Sequence, residues 1–254
     1  MPSIYLSPST QEYNQYYDGS GSEEYYMNLI ADAMEPYLNA SGITFTRNDP
    51  DKTLSQAIAE SNSGNYDLHL ALHSNASPES MSGAFKGADF YFYTVSEKGK
   101  KAATVLSDNY KSIFPTPSLV RAIPTMILAE VRRTIAPAVL AELGYHDNPT
   151  DAEWIKSNID AIAKNLVQGL CEYFGIPFIS PGEPSYEKIG IVTTQGGRLN
   201  IRNRPSLSSS VIAQIPNGER VVIIEKIGNW YVIEYNGIIG FVSADYITLV
   251  TRDE

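Results

Sequence analysis

The sequence predicts two domains of different class: an α/β domain with a mostly parallel sheet and helices on both faces, then a small all-β barrel. Strand-like and helix-like segments alternate through the first 175 residues, as in an α/β sheet. After residue 186 only short strands separated by turn residues recur. Two prolines and a glycine within 180–185 separate the two patterns. We therefore expect domains at 1–178 and 187–254, joined by a linker at 179–186.

Each element of the first domain is predicted from hydrophobic periodicity or from a short apolar run. Apolar residues recur at helical spacing in four segments, 23–38, 54–61, 98–114 and 150–174. The last segment has the clearest stripe, and Thr150 with Glu153 at its start has the spacing of a capping box. Short apolar runs predict strands at 4–6, 43–45, 66–72, 88–93 and 138–140.

The second domain is predicted from six short strands with turn residues between them. Asparagine followed by glycine at 236–237 favours a tight type I′ hairpin. The strands are expected at 189–194, 199–202, 211–215, 220–225, 230–235 and 238–242.

Composition and charge exclude several classes of function. The 254 residues carry a net charge of −10, and the first 185 residues account for all of it. Nucleic acid is not expected as a partner, because phosphate binding needs a surplus of lysine and arginine. Membrane insertion is not expected either, since no stretch approaches the roughly 20 apolar residues of a spanning helix. The single cysteine, Cys171, falls on an apolar helix stripe and is expected in the core.

Polar residues just past strand ends are the candidates for chemistry, because ligands of open α/β sheets bind at the carboxyl ends of strands. His73 ends one predicted strand and is followed by Asn75, and Glu142 ends the run 137–141. A carboxylate there suits a general base beside a metal-bound water; the alternative is an ordinary exposed loop carboxylate. His69, roughly 13 Å from His73 along the strand, is expected to be a hydrogen-bonded core histidine.

Ordered motifs cover nearly all of residues 1–175, and a second set covers the barrel. The first set is Ile4-Tyr-Leu-Ser-Pro-Ser-Thr-Gln-Glu12, Glu24-x-x-x-Asn28-Leu29, Leu72-His-Ser-Asn-Ala76, Val131-Arg-Arg-Thr134 and Pro137-Ala-Val-Leu-Ala-Glu-Leu-Gly-Tyr-His-Asp-Asn148. In these the first domain resembles the zinc-dependent N-acetylmuramoyl-L-alanine amidases that include autolysins and phage endolysins. Through Gly197-Arg-Leu-Asn-Ile-Arg202, Asn229-Trp-Tyr231 and Gly240-Phe-Val242, the second resembles bacterial SH3 domains of wall hydrolases.

The resemblance implies a function and a set of roles. It implies that Glu24 and His73 hold Zn²⁺ and that Glu142 is the catalytic residue, taking a proton from a zinc-bound water and passing it to the leaving amine. It also implies that Asn75 and Arg132 bind substrate. The bond cut would join N-acetylmuramic acid to L-alanine in peptidoglycan, with the SH3-type domain holding the enzyme on the wall.

The third metal ligand is left open. The family normally has a metal-binding histidine after the first strand, but no histidine precedes His69. Tyr13 occupies a position where related sequences can carry it, and His146 is the substitute. A metallo-amidase therefore competes with a second hypothesis, a non-catalytic wall-binding protein with a degenerate metal site.

Both hypotheses make peptidoglycan the partner. The chain does not open on a basic segment followed by an apolar core. We therefore expect action at the cell wall, outside the cell, after phage-type release of a protein held until then in the cytoplasm.

Overall fold

The computed structural model describes residues 1–181 and 188–250. The chain divides into two compact units, Met1–Tyr173 and Phe174–Glu254. Most of the linker predicted at 179–186 falls outside the described residues, so the domain boundaries stay a prediction. Within the described ranges no helix is long and apolar enough to cross a bilayer.

The first unit is built on a six-stranded mixed sheet. Its strands, in chain order, are β1 (Ser3–Pro8), β2 (Thr44–Arg47), β3 (Leu68–Asn75), β4 (Ala88–Tyr93), β5 (Val120–Thr125) and β6 (Ala138–Tyr145). They lie side by side in the order β2-β1-β3-β6-β4-β5. The first four in that order are mutually parallel, and β4 runs antiparallel to β6. The mostly parallel α/β sheet is therefore confirmed.

Six α-helices accompany these strands, four between strands and two after β6: α1 (Glu23–Ala40), α2 (Leu54–Ser63), α3 (Glu97–Tyr110), α4 (Ala129–Arg133), α5 (Pro149–Ser157) and α6 (Ile159–Phe174). The single helix predicted at 150–174 is wrong, because it is broken at Asn158 into α5 and α6. The capping box is also wrong. Asn148 is the N-cap, and its side chain accepts hydrogen bonds from the backbone N–H groups of Thr150 and Asp151.

Helices cover both faces of the sheet. On one face Val131 of α4 packs against Ala71, Ala138 and Leu140, and α2 contributes a hydrogen bond to the same face. We call this the α4 face. On the other face the ring of Tyr110 in α3 lies 5.4 Å from that of Phe90 in β4.

In the described part of the second unit, seven strands form an all-antiparallel sheet. These are β7 (Lys188–Val192), β8 (Arg198–Arg202), β9 (Val211–Pro216), β10 (Arg220–Ile227), β11 (Trp230–Tyr235), β12 (Ile238–Ser243) and β13 (Ile247–Leu249). They follow the order β13-β7-β10-β11-β12-β8-β9 around a single apolar core. Positive φ angles at Asn236 (51°) and Gly237 (76°) confirm the predicted hairpin.

Candidate functional site

Four ionisable side chains form a row across the α4 face. His73 of β3 pairs with Glu142 of β6, Glu142 pairs with Asp89 of β4, and Asp89 pairs with Arg121 of β5. Residues paired directly across neighbouring strands point to the same face. These four residues, which we call the polar row, therefore span four strands about 4.8 Å apart. Basic groups stand at its two ends and carboxyl groups in the middle.

Both ring nitrogens of His73 face carboxylates. Nδ1 lies 2.7 Å from Oε1 of Glu23, and Nε2 lies 3.4 Å from Oε2 of Glu130. These acids are only 1% and 3% exposed. Burial lowers the pKa of His73, but the hydrogen bonds to Glu130 and Glu23 raise it more, so the pKa stands well above its ordinary value. The ring is therefore an imidazolium that donates one hydrogen bond to each carboxylate.

The acid that reaches His73 from α1 is Glu23, where the resemblance implied Glu24. Glu23 precedes the buried Met27 by four residues and Ile30 by seven, so it lies on the buried stripe of the helix. Glu24 is rotated by roughly 100° about the helix axis and is only half-buried. Its pKa is raised by burial and by nearby carboxylates.

Glu130 joins His73 to a second buried histidine, and this carboxylate was not anticipated from the sequence. Its Oε1 accepts hydrogen bonds from Nε2 of His69 (3.0 Å) and from the hydroxyl of Ser7 (2.5 Å). Nδ1 of His69 in turn lies 2.9 Å from the hydroxyl of Ser61. Burial raises the pKa of Glu130, but the bonds from His69 and His73 outweigh it and hold this pKa far below its usual range. The expected role of His69 as a hydrogen-bonded core residue is confirmed.

Glu142 has the opposite surroundings. Its Oε2 is buried and, among the described residues, has no hydrogen-bond partner. Burial raises the pKa of Glu142 to about 8; the charge of His73 opposes this rise, and the carboxylates of Glu23, Asp89 and Glu130 reinforce it. At neutral pH this carboxyl is mainly protonated, and it can both release and accept a proton near that pH.

A cavity of about 620 Å³ opens beside the His73 end of the polar row. It is lined by the loop after β1, by Glu24, by the loop before α2, and by His73 and Glu130. Tyr13 also lines it, yet its side chain is 73% exposed and its hydroxyl donates to Oε1 of Gln11. Gln11, not Tyr13, therefore stands next to His73.

Three other predicted site residues lie apart from the contacts to His73. Nδ1 of His146 is 2.8 Å from the backbone carbonyl oxygen of Ser74, and the ring of this buried histidine stacks on Tyr16. Asn75 is half-buried at the end of β3, where its side chain accepts a hydrogen bond from the next backbone N–H. Arg132 is exposed on α4. The substrate-binding roles of Asn75 and Arg132 stay predictions.

Sequence and structure comparisons both match the chain to N-acetylmuramoyl-L-alanine amidases. Residues 10–172 match the family model described as N-acetylmuramoyl-L-alanine amidase, and residues 197–248 match the bacterial SH3 domain. The first match covers more than half of the chain. The chain belongs to the N-acetylmuramoyl-L-alanine amidase family.

The individual relatives include an amidase and a bacteriocin. The chain is 25% identical to the N-acetylmuramoyl-L-alanine amidase LytC of Bacillus subtilis over 67% of its own length and 35% of the relative's. It is 30% identical to bacteriocin BCN5 of Clostridium perfringens over 42% of its length, but spans only 12% of that protein. The crystal structure of an amidase from Clostridium difficile matches with a TM-score of 0.60 at 18% identity, covering 68% of this chain and 96% of that one. The fold is therefore shared.

Amidases of this family are generally zinc-dependent, so the donor set around His73 can be tested against zinc. A catalytic zinc takes three protein ligands. In the described parts of the chain no group of three or more histidine, cysteine, aspartate or glutamate side chains suits a metal. The third place is held by Gln11, whose amide nitrogen lies 3.4 Å from Nδ1 of His73 and 3.3 Å from Oε1 of Glu23. An amide nitrogen is a hydrogen-bond donor and cannot ligate a cation.

The orientation of the Gln11 side-chain amide is fixed by hydrogen bonds to its oxygen. Tyr13 and Asn14 both donate to Oε1 of Gln11, which turns the potential ligand oxygen away from His73. Asn14 also donates to Oε2 of Glu23 at 2.6 Å. The residues present therefore do not complete a three-ligand zinc centre.

Proposed function

We propose that the first unit hydrolyses the amide bond between N-acetylmuramic acid and L-alanine of peptidoglycan, and that the SH3-type unit holds the protein on the wall. The family assignment supports this substrate class. The observation that carries the catalytic part is the buried carboxyl oxygen of Glu142 in β6, which has no hydrogen-bond partner among the described residues. A carboxyl held in that state destabilises the fold, and such groups are concentrated at catalytic sites.

Glu142 performs the proton transfers in this proposal. In its ionised form it takes a proton from the water that adds to the carbonyl carbon of the lactyl group. In its protonated form it returns that proton to the nitrogen of L-alanine as the carbon–nitrogen bond breaks. The products are a carboxylate on the lactyl group and a free amine on L-alanine. A pKa of about 8 suits both transfers, because it lies close to a neutral operating pH.

The other residues hold the site together. Glu23 and Glu130 keep His73 charged and fix its ring, and the imidazolium places a positive charge one strand away from Glu142. Its two N–H donors are taken by Glu23 and Glu130, so His73 orients the site and does not hydrogen-bond the carbonyl oxygen. These steps use only side chains of the protein itself, because His73 and Glu23 provide two donors where a catalytic zinc takes three.

The SH3-type unit raises the local concentration of the first unit on an insoluble substrate. We propose the cell wall, outside the cell, as the place of action. Binding there is expected to use shaped contacts, since residues 186–254 carry equal numbers of acidic and basic side chains.

The test is product analysis after incubation of the full chain with purified peptidoglycan. We expect new free amines on L-alanine, identified by labelling and mass spectrometry, and no new reducing sugar ends. Reducing ends without free amines would show a glycosidase and overturn the proposal.

A second candidate function is favoured by the incomplete donor set around His73. In that hypothesis the protein binds the wall without cutting it. It predicts co-sedimentation with peptidoglycan, no release of amines with or without added zinc, and the same binding after substitution of Glu142 by glutamine. Release of amines by the wild-type protein would exclude it.

A further inference from the structure

The far end of the polar row carries an arginine that the proposed reaction does not use. Arg121 of β5 pairs with Asp89 of β4, and Asp89 pairs with Glu142 of β6. All three side chains point to the α4 face. Arg121 is therefore two strands from Glu142, roughly 9.6 Å between backbones.

The guanidinium of Arg121 is held by hydrogen bonds to Asp89, but these bonds do not use all of its N–H donors. Its Nε and Nη2 donate to the two carboxylate oxygens of Asp89 at 2.9 and 3.0 Å. Asp89 is 3% exposed, whereas 60% of the Arg121 side chain is exposed. Since a guanidinium has five N–H donors, the bidentate pair leaves donors on the exposed edge.

Neutralising Asp89 explains only part of this arrangement. The buried carboxylate needs a cation beside it, but this does not require 60% of the Arg121 side chain to face solvent. An exposed, planar guanidinium whose fork is fixed by a buried aspartate, two strands from the proposed catalytic carboxyl, has the features of a preorganised anion subsite.

We propose that Arg121 binds the carboxylate on the second residue of the stem peptide, where the first residue, L-alanine, carries the nitrogen that Glu142 protonates. This inference rests on the proposed function. In peptidoglycan the residue after L-alanine is a D-glutamate whose α-carboxyl group is either free or amidated. Two extended residues reach roughly 7 Å, and the arginine side chain spans the rest of the distance from β5. The subsite therefore selects stem peptides with the free acid.

The test uses the full chain and two soluble muropeptides that differ only at this group, free carboxylate in one and amide in the other. Soluble muropeptides carry no anionic wall polymer, so a phosphate cannot substitute for the carboxylate. We expect the wild-type protein to show a KM about tenfold lower for the acid than for the amide, with a similar kcat. Arg121→Gln is expected to remove this preference by raising the KM for the acid.

Two further variants keep the result interpretable. Arg121→Lys retains a cation beside Asp89, which guards against misfolding, and is expected to show an intermediate preference because it lacks the fork geometry. Arg133→Gln makes the same charge change at an exposed position at the end of α4, and is expected to behave as wild type. Melting temperatures verify folding.

Equal KM values for acid and amide in the wild-type protein, or an unchanged preference in folded Arg121→Gln, would overturn the inference. If the wild-type protein cleaves neither substrate, the proposed function has failed and the subsite is tested by calorimetry with the same muropeptides. Tighter binding of the acid, lost in Arg121→Gln, then supports it, and equal binding overturns it.

Discussion

Glu130 and Glu142 lie on the same face of one sheet, and their surroundings are opposite. Glu130 receives hydrogen bonds from His69, His73 and Ser7, and its pKa is held far below the usual range. Glu142 has a buried oxygen without a partner in the described structure, and its pKa is raised to about 8. Burial alone therefore does not set the charge of an acid; the donors around it do.

This difference assigns separate tasks to the two acids. A carboxylate saturated with hydrogen bonds orients its neighbours and stays ionised. An acid left without donors is poised to exchange a proton. Pairs of titratable groups whose surroundings push their pKa values apart commonly divide catalytic work in this way.

The largest expected effect is the loss of activity when Glu142, the acid without a hydrogen-bond partner, is substituted. Glu142→Gln is expected to lower the rate of amine release by about 10² to 10⁴-fold, because the amide cannot transfer the proton. The rate is measured on purified peptidoglycan. Glu97→Gln, which changes an exposed acid in the first turn of α3, is the matched control and is expected to keep wild-type activity. Full activity in folded Glu142→Gln would refute the assignment of Glu142.

Substitution of Glu130, the hydrogen-bonded acid, is expected to lower the stability of the fold. Glu130→Ala removes the shared acceptor of His69, His73 and Ser7 and should lower the free energy of unfolding by about 3 to 5 kcal/mol. Urea denaturation measures this loss. Glu142→Gln at pH 8 should lose no stability, since it removes a poorly solvated acid. A larger loss at Glu142 than at Glu130 would reverse the comparison.

A third substitution tests the incomplete metal site. Gln11→His places an imidazole beside His73 and Glu23, and is expected to raise zinc affinity on the order of 100-fold by completing a three-ligand set. Tyr13→His is the matched control, because Tyr13 is largely exposed and contacts Gln11 instead of His73. Calorimetry with zinc alone measures both. An equal gain at Tyr13, or no gain at Gln11, would contradict the placement of Gln11.

The smallest expected effect is a pH dependence of stability. The folded-state pKa of Glu142 is about 8 and lies above its unfolded value, so its stabilising contribution is complete at low pH and is lost as pH rises through 8. Relative to Glu142→Gln, the wild-type protein should therefore lose about 2 kcal/mol between pH 6 and pH 8. Urea denaturation at each pH measures the difference. If the wild-type protein instead became more stable relative to Glu142→Gln as the pH rises, the prediction would be contradicted.

Much of the fold follows from local patterns, but two elements that build the site do not. Strand β5 and helix α4 were not predicted; α4 has only five residues, too few for a helical period to show. Glu130 lies on α4 and Arg121 on β5, so neither residue was predicted as part of the site. Their placement depends on contacts between distant parts of the chain, which a single sequence does not display.

The hydrophobic pattern of α1 is enough to distinguish Glu23 from Glu24 as the buried acid. The stripe that predicted α1 included Met27 and Ile30, and continuing it backwards by four and seven residues gives Glu23, not Glu24. A buried histidine such as His69 needs a hydrogen-bond partner, but no spacing in the sequence identifies Glu130 as that partner. Hydrophobic periodicity therefore places a residue on a face, while partners across the sheet require the structure.

The most direct test of the contrast is a ¹³C NMR titration of the glutamate side-chain carboxyl groups, with the two signals assigned by their loss in Glu130→Gln and Glu142→Gln. We expect the signal of Glu142 to titrate near pH 8 and that of Glu130 to stay in the ionised position down to the lowest pH at which the protein is folded. Titration of Glu142 near the ordinary value of about 4.3, or of Glu130 at or above it, would contradict the account.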